Sequence, residues 1–140
     1  MARIRSFEEI EAWQKARRLA DLIFKIFQRE EAKRDYSLKD QSSRSIGSVM
    51  DNIAEGFERG GNKEFIQFLF VAKGSAGENR SQCYRMLDRN YISRDEFDHM
   101  TSELIAIGKM IMGLIVYLEQ SELRGHKFHE PDIPYGCADN

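Results

Sequence analysis

The stretch SVMDNIAEGFERGGNKEFIQF, residues 48–68, joins one apolar-periodic segment to a Gly-Gly-Asn break and then to a second apolar segment. Gly60 and Gly61 can adopt the positive φ that ends a helix, and Asn62 beside them can cap the next helix. A phosphate-binding loop would need a preceding strand and the spacing G-x-x-x-x-G-K-S/T, and the stretch has neither. The sequence therefore predicts a corner between two helices.

Four segments have apolar residues at steps of three and four, which is the period of an amphipathic helix. The predicted helices span about 7–31, 38–59, 63–90 and 94–121. Because short links join them, we expect an all-α protein with one antiparallel up-down-up-down four-helix bundle over residues 1–122. The helical spacing of apolar residues stops after the bundle, which predicts a flexible C-terminal tail over residues 123–140.

Serines with an acidic residue three positions later mark helix starts. Ser6 with Glu9, and Ser93 with Glu96, have the spacing of a capping box, and Ser37 gives a weaker start signal. Helix 4 has the most regular heptad of the chain, formed by Phe97, Met100, Leu104, Ile107, Ile111, Leu114 and Leu118.

Composition indicates a folded protein, with 41% hydrophobic residues, 31% charged residues and only two prolines. The N-terminus lacks the apolar core of a signal peptide, and no 18 apolar residues run together, so we expect neither secretion nor membrane insertion. Cys83 and Cys137 form no C-x-x-C motif, and a reducing cytoplasm is the expected location. Charge is unevenly spread: residues 1–94 carry 18 basic and 14 acidic side chains, and residues 95–140 carry 3 and 9.

Three of the helices have apolar residues beyond those that a single bundle needs. Helix 1 is expected to bury Ile10, Trp13, Ala16, Ala20, Ile23, Phe24 and Phe27. The additional residues lie away from the expected core faces at Leu19, Leu22, Ile26, Ile66, Phe70, Tyr84, Ile105, Met112 and Val116. Because these additional apolar residues recur at helical spacing, they predict a contact between subunits and hence a homo-oligomer. The alternative is a set of unrelated exposed hydrophobic residues, which any protein has.

The segment joining helices 2 and 3 carries a family resemblance. It lies in Gln41, Arg44, Ser45, Ile46, the run Asn52-Ile53-Ala54-Glu55-Gly56, Lys63-Glu64-Phe65, Phe68-Leu69, Ala72, Gly74-Ser75 and Glu78. With these residues the chain resembles the four-helix-bundle proteins encoded in intervening sequences of large-subunit (23S) ribosomal RNA genes. More distantly, it resembles the accessory variability protein of diversity-generating retroelements.

The resemblance runs from about Phe7 to Leu118 and implies a left-handed bundle that assembles into a homopentamer without catalytic residues. It also implies structural roles for the motif positions Asn52, Glu55, Gly56, Ser75 and Glu78. For the retroelement branch it implies binding of nucleic acid and of a reverse transcriptase through a basic exterior.

A polar edge flanks the apolar face of helix 2. It consists of Gln41, Ser45, Ser48, Asn52 and Glu55. Such an edge is typical of a hydrogen-bonding seam that fixes the register of two helices, and ligand binding is the alternative.

Helix 3 carries polar and small residues on or beside its apolar face. Asn79 is predicted to be a buried amide that sets register. The glycines at Gly74 and Gly77 lower helix propensity, which predicts close approach of another backbone. On helix 1, Arg17 is expected to form an internal salt bridge, with Glu55 as the candidate partner.

Metal and catalytic motifs are weak. A di-iron bundle needs two Glu-x-x-His pairs, and only Glu96 with His99 has that spacing. His126, His129 and Cys137 form a sparse set in the predicted tail. No Ser or Cys nucleophile has a triad signature with a histidine. We therefore expect no enzymatic activity, no metal and no cofactor.

Two basic strips remain, formed by Arg18, Lys25 and Arg29 on helix 1 and by Lys73 and Arg80 on helix 3. A ring of subunits would repeat these strips and add up weak phosphate contacts, although solvated helix faces give the same pattern. The sequence favours a non-enzymatic oligomeric scaffold that binds RNA, DNA or a nucleic-acid-processing protein. The alternative is an assembly or adaptor protein of unknown process with protein partners alone.

Overall fold

The computed structural model describes residues 4–123, and this range contains four α-helices and no strand. A single 3-10 turn at Phe7–Glu9 precedes them. The helices are α1 (Glu11–Ile26), α2 (Tyr36–Glu58), α3 (Asn62–Asp88) and α4 (Arg94–Leu123). The predicted all-α class is confirmed for this part of the chain. The predicted tail beyond Leu123, with His126, His129 and Cys137, lies outside the described residues.

The helices pack as a bundle in which α2 contacts α1 and α3, while α4 contacts α3 and α1. Residues 59–61 and 89–93 are short connections, which make consecutive helices antiparallel neighbours. The core is built from aliphatic and aromatic side chains. Its largest fully buried members include Phe27, Phe65, Ile23, Leu38, Ile46, Ile53, Leu69, Met86 and Ile107. The packing places α3 between α2 and α4.

The corner between α2 and α3 is present as predicted. Gly60 has φ 83°, and its N–H donates to the carbonyl of Phe57 at 3.2 Å. Gly61 is extended and occupies the cap position, whereas Asn62 is already the first residue of α3. The predicted capping role of Asn62 is therefore wrong, because a cap residue needs non-helical backbone. Its side chain is instead buried, and neither amide atom has a hydrogen-bond partner.

The predicted boundaries of helix 1 are wrong at both ends. The 3-10 turn and an extended Ile10 come first, and Glu9 accepts a hydrogen bond from the Arg5 N–H at 2.8 Å instead of closing a box with Ser6. Turns occupy residues 27–34. The start of α2 is capped by Asp35, whose carboxylate accepts from the Leu38 N–H at 3.1 Å, and not by Ser37.

The buried face of α1 also differs from the predicted one. Leu19 and Ile26 are fully buried, whereas Phe24 is 61% exposed. Apolar residues cover more than half of the circumference of this helix, so their spacing does not determine which arc faces the core. Packing between α2 and α4 selects the arc that contains Leu19 and Ile26. These two residues therefore belong to the core of one chain, and their predicted place in a subunit interface is wrong.

Helix α4 confirms the predicted start and the predicted heptad. Ser93 and Glu96 form a reciprocal capping box, with Ser93 N–H donating to Glu96 Oε1 at 2.8 Å and Glu96 N–H donating to Ser93 Oγ at 3.1 Å. All seven heptad residues are buried. By length and composition alone, α4 is apolar enough to cross a membrane. A core helix has the same composition, and the heptad residues of α4 lie in the core.

Candidate functional site

A polar seam joins α2 to α3. Asn79 is fully buried, and its Nδ2 donates to the Ser42 carbonyl at 3.0 Å and to Ser45 Oγ at 2.9 Å. Ser45 Oγ in turn donates to Gln82 Oε1 at 2.6 Å. Because a shift of α3 along α2 would separate the Asn79 amide from both partners, these hydrogen bonds fix the register of the two helices. The predicted seam and the predicted buried amide are both present.

The seam continues toward the corner through motif residues. Ser48 and Ser75 share a hydrogen bond of 2.8 Å across the two helices, and Asn52 Nδ2 donates to the Ser48 carbonyl at 2.8 Å. On the outer side of the seam lies a groove of about 260 Å³, lined by Gln41, Arg44, Ser45, Ser48, Glu78 and Gln82. The structure thus brings Asn52, Ser75 and Glu78 to one edge of the α2–α3 contact.

Gly56 of α2 packs directly against Phe65 and Phe68 of α3. A Cβ atom at this position would lie 2.7 Å from Phe68 Cβ and 2.9 Å from Phe65 Cδ1. Contacts this short are not tolerated, so only glycine fits without displacing α3.

Glu55 does not belong to the seam. Its carboxylate is exposed and forms an ion pair with Arg59, one turn along α2, at 2.8 Å. Arg17 is also exposed, and its guanidinium lies 5.8 Å from the centre of the Trp13 ring. The predicted internal salt bridge between Arg17 and Glu55 is therefore wrong.

A second groove, the basic groove, lies on the outer surface between α3 and α4. Its volume is about 360 Å³, and its lining consists of Lys73, Ala76, Gly77, Arg80, Leu104, Ile105, Gly108, Lys109 and Met112. No acidic residue of the described chain lines it. Lys73, Arg80 and Lys109 form no hydrogen bond or ion pair with other described residues. Three cations therefore share one partly apolar groove without a counter-charge from residues 4–123.

The floor of the basic groove is open. No neighbouring heavy atom lies within 4 Å of the position that a side chain would take at Gly77 or Gly108, and the same holds for Gly74. Within the described chain, no other backbone makes the close approach predicted at Gly74 and Gly77.

The basic residues predicted on helix 1 have different environments. Arg18 is exposed, and Lys25 forms an exposed ion pair with Asp21 at 2.9 Å. Arg29 is bound within the bundle instead. Its guanidinium donates to both carboxylate oxygens of Glu96, at 3.0 and 2.5 Å, and to the Tyr91 carbonyl at 2.9 Å.

The ion pair between Arg29 and Glu96 shifts the pKa of both residues. Hydrogen bonding to Arg29 is the main cause that lowers the pKa of Glu96 to about 2, against the opposing effect of burial. The same hydrogen bond raises the pKa of Arg29. Arg29 therefore links the end of α1 to the start of α4, which is a structural role.

The remaining residues of the predicted interface are accessible to different degrees. Phe70, Tyr84, Ile105 and Met112 are exposed. Leu22 and Ile66 are half-buried against the core, and Val116 is half-buried. Ile105 and Met112 line the basic groove together with Lys73 and Arg80. The structure therefore places predicted interface residues and predicted nucleic-acid contacts on one surface. Lys109 was missed by sequence reasoning, although its spacing from Ile105 and Met112 is that of one helix face.

Comparisons with known proteins match most of the chain. A family model for the 23S rRNA-intervening sequence protein matches residues 8–113. The structure is similar to a crystal structure from Bacteroides thetaiotaomicron, described as a protein with unknown function from the S23 ribosomal protein family. The TM-score is 0.67 and the sequence identity 22%, and the match covers 74% of this chain and 97% of that chain. At that identity the likeness concerns the fold alone. No curated protein matches the chain.

Proposed function

The chain belongs to the 23S rRNA-intervening sequence protein family, and from that premise we propose that it is a non-enzymatic, homo-oligomeric helical scaffold that binds RNA, DNA or a nucleic-acid-processing protein. The observation that carries the proposal is the exposed apolar surface of α3 and α4. Phe70 is 48% exposed, Ile105 43% and Met112 36%. Exposed apolar residues that recur along neighbouring helices are typical of protein interfaces. Five copies are the number that the resemblance described from the sequence implies.

The proposal includes no catalytic activity, and two features of the described residues bear on metal and thiol chemistry. Within residues 4–123, no three His, Cys, Asp or Glu side chains cluster closely enough to hold a metal ion. Burial raises the pKa of the Cys83 thiol to about 12, so this thiol stays protonated at neutral pH. A protonated, buried thiol is not an activated nucleophile.

Binding of nucleic acid is proposed for the cations that lie away from the exposed apolar surface. Arg18 forms no ion pair with described residues, and the Lys25 pair with Asp21 is exposed, where a phosphate can compete for it. A ring repeats both residues in every subunit, and several weak phosphate contacts together give useful affinity.

Light scattering at micromolar concentration tests the assembly. We expect a mass near five times that of the chain, and a monomer mass would refute the scaffold proposal.

Salt-dependent retention on immobilised RNA and DNA tests the binding, starting at about 50 mM salt, where phosphate contacts are strongest. The double variant Arg18→Glu, Lys25→Glu should lose retention. Arg34→Glu, Lys63→Glu is the matched control, since both side chains are exposed and the change in charge is the same. An intact oligomer without any retention would favour the alternative, an adaptor with protein partners alone.

A further inference from the structure

The outer face of α3 has its own heptad-like spacing. Phe70, Lys73, Gly77, Arg80 and Tyr84 follow one another at alternating steps of three and four, so they lie on one side of the helix. A glycine inside a helix costs about 1 kcal/mol relative to alanine. The open space at Gly77 and Gly108 offers no compensation within the described part of the chain. A backbone that approaches the basic groove from outside would supply it.

A complementary surface exists on α2. We name it the acidic strip and define it by Gly47, Asp51, Ala54 and Glu58, which again follow one another at steps of four and three. Asp51 and Glu58 are exposed and form no hydrogen bond or ion pair with described residues. At Gly47, as in the basic groove, no neighbouring heavy atom lies within 4 Å of the side-chain position.

The two surfaces match in charge and in spacing. Along α2 the order is acid, small residue, acid at Asp51, Ala54 and Glu58. Along α3, read in the opposite direction, the order is cation, small residue, cation at Arg80, Gly77 and Lys73. Both sets have steps of three and then four, and the charges in each set lie about 10 Å apart along the helix axis. An antiparallel contact therefore places unlike charges opposite one another and small residues in the centre.

We propose that the basic groove of one copy binds the acidic strip of a second copy, with Asp51 opposite Arg80 and Glu58 opposite Lys73. The inference rests on the proposed oligomer and names the surfaces that build it. Because the two surfaces differ, each copy keeps one of them for the next copy, which gives a head-to-tail contact, and the proposed oligomer requires that this contact closes into a ring. A contact between the basic grooves of two copies would instead bring like charges together, which is unfavourable.

The chemistry of the groove favours a protein over a nucleic acid. Its apolar lining residues Ile105 and Met112 are not aromatic and offer no face on which bases can stack, while Phe70 and Tyr84 lie on the same side of α3 but outside the lining. Glycines at the floor suit the close packing of a helix. In this arrangement Lys73 and Arg80 lie between subunits, so other cations contact the nucleic acid.

Charge reversal tests the pairing. The double variant Lys73→Glu, Arg80→Glu should raise the dissociation constant of the assembly about 100-fold, because like charges then face one another. The double variant Asp51→Arg, Glu58→Lys should do the same. Combining all four substitutions should restore the mass of the native assembly in light scattering. Helical circular dichroism should stay unchanged in each variant, since none of the four side chains has a partner within the described chain.

A second variant is independent of charge. Gly77→Leu places a side chain in the open groove, so the single chain should still fold while the mass falls to that of a monomer. The control Arg34→Glu, Lys63→Glu should leave the mass unchanged.

Each contrary outcome has a defined meaning. If the native protein is oligomeric and both reversals leave its mass unchanged, the pairing is refuted while the scaffold stands. Failure of the fourfold variant to reassemble, after each double variant dissociates, also refutes it. Loss of RNA retention in the Lys73 and Arg80 variant without a change in mass would show that the groove binds nucleic acid instead. A monomeric native protein would refute both the pairing and the scaffold.

Discussion

The two sides of α3 use polar residues in opposite ways. Toward α2, Ser75, Asn79 and Gln82 are buried and hydrogen-bonded to groups of the same chain. Toward the outer surface beside α4, Lys73 and Arg80 have no partner among the described residues and lie beside exposed apolar side chains. On the first side the polar side chains find partners within one chain, apart from Asn79 Oδ1, which has none, whereas on the second side the two cations find none among the described residues. Substitutions on the first side should therefore change the stability of the fold, and those on the second should change what the protein binds.

The largest expected effect is that of Asn79→Ala. The change removes two hydrogen bonds, leaves the buried Ser42 carbonyl and Ser45 hydroxyl with fewer partners and opens a small cavity. We expect the free energy of unfolding to fall by about 2–3 kcal/mol. Urea unfolding at a fixed protein concentration measures this free energy. A loss below about 0.5 kcal/mol would mean that the seam does not stabilise the fold.

Gly56→Ala should come next. The added methyl group meets Phe65 and Phe68, and overpacking of this kind costs more than the gain in helix propensity. We expect a net loss of about 1–2 kcal/mol by the same measurement. Gly74→Ala is the control, because the space there is open and the change should stabilise the helix slightly. Equal effects at both positions would contradict a close α2–α3 contact at Gly56.

The ion pair between Arg29 and Glu96 should make stability depend on acid pH. In the folded protein the pKa of Glu96 is about 2, below its ordinary value of 4.5. The contribution of the ion pair to the free energy of unfolding is therefore complete above about pH 4.5 and is lost as pH falls toward 2. Glu96→Gln keeps a capping side chain and removes the charge. This substitution should lower the free energy of unfolding by about 1–2 kcal/mol at pH 7 and by less at pH 3. Glu119→Gln, an exposed site, should show no such difference, and a pH-independent cost at Glu96 would contradict the assignment.

The smallest effects should be those of Glu55→Ala and Lys73→Ala on the fold. The exposed pair of Glu55 with Arg59 is worth about 0.3–0.5 kcal/mol, and Lys73 has no partner to lose. Thermal unfolding should therefore shift by no more than about 2 °C in either variant. A large loss at Glu55 would restore the structural role that its motif position suggested.

Much of the fold was predictable because it depends on local spacing. The heptad of α4, the box at Ser93 and Glu96, and the turn at Gly60 each involve residues within a few positions of one another. Predictions that depended on the rotation of a helix about its axis were less successful. Leu19, Ile26 and Phe24 were assigned to the wrong sides of α1, because most of that helix is apolar and its spacing alone allows several rotations.

The candidate surfaces show the same division. Asn79 was predictable as a buried amide, since a lone polar residue on an apolar face must find partners within the bundle. The partner of Arg29 was not, because Glu96 lies 67 residues away and meets it only after α1 packs on α4. Lys109 was missed because its significance lies in its position across the groove from Lys73 and Arg80.

By itself, the amino-acid sequence determined the number of helices, the corner at Gly60 and the apolar seam of α4, because hydrophobic period and helix-ending residues act over short distances. Only the tertiary structure decided that Asn52, Ser75 and Glu78 share one edge, that Arg29 is held inside the bundle, and that Lys73, Arg80, Ile105 and Met112 form one groove. Those outcomes depend on which arc of each helix faces its neighbours. That choice is made by the packing of all four helices together.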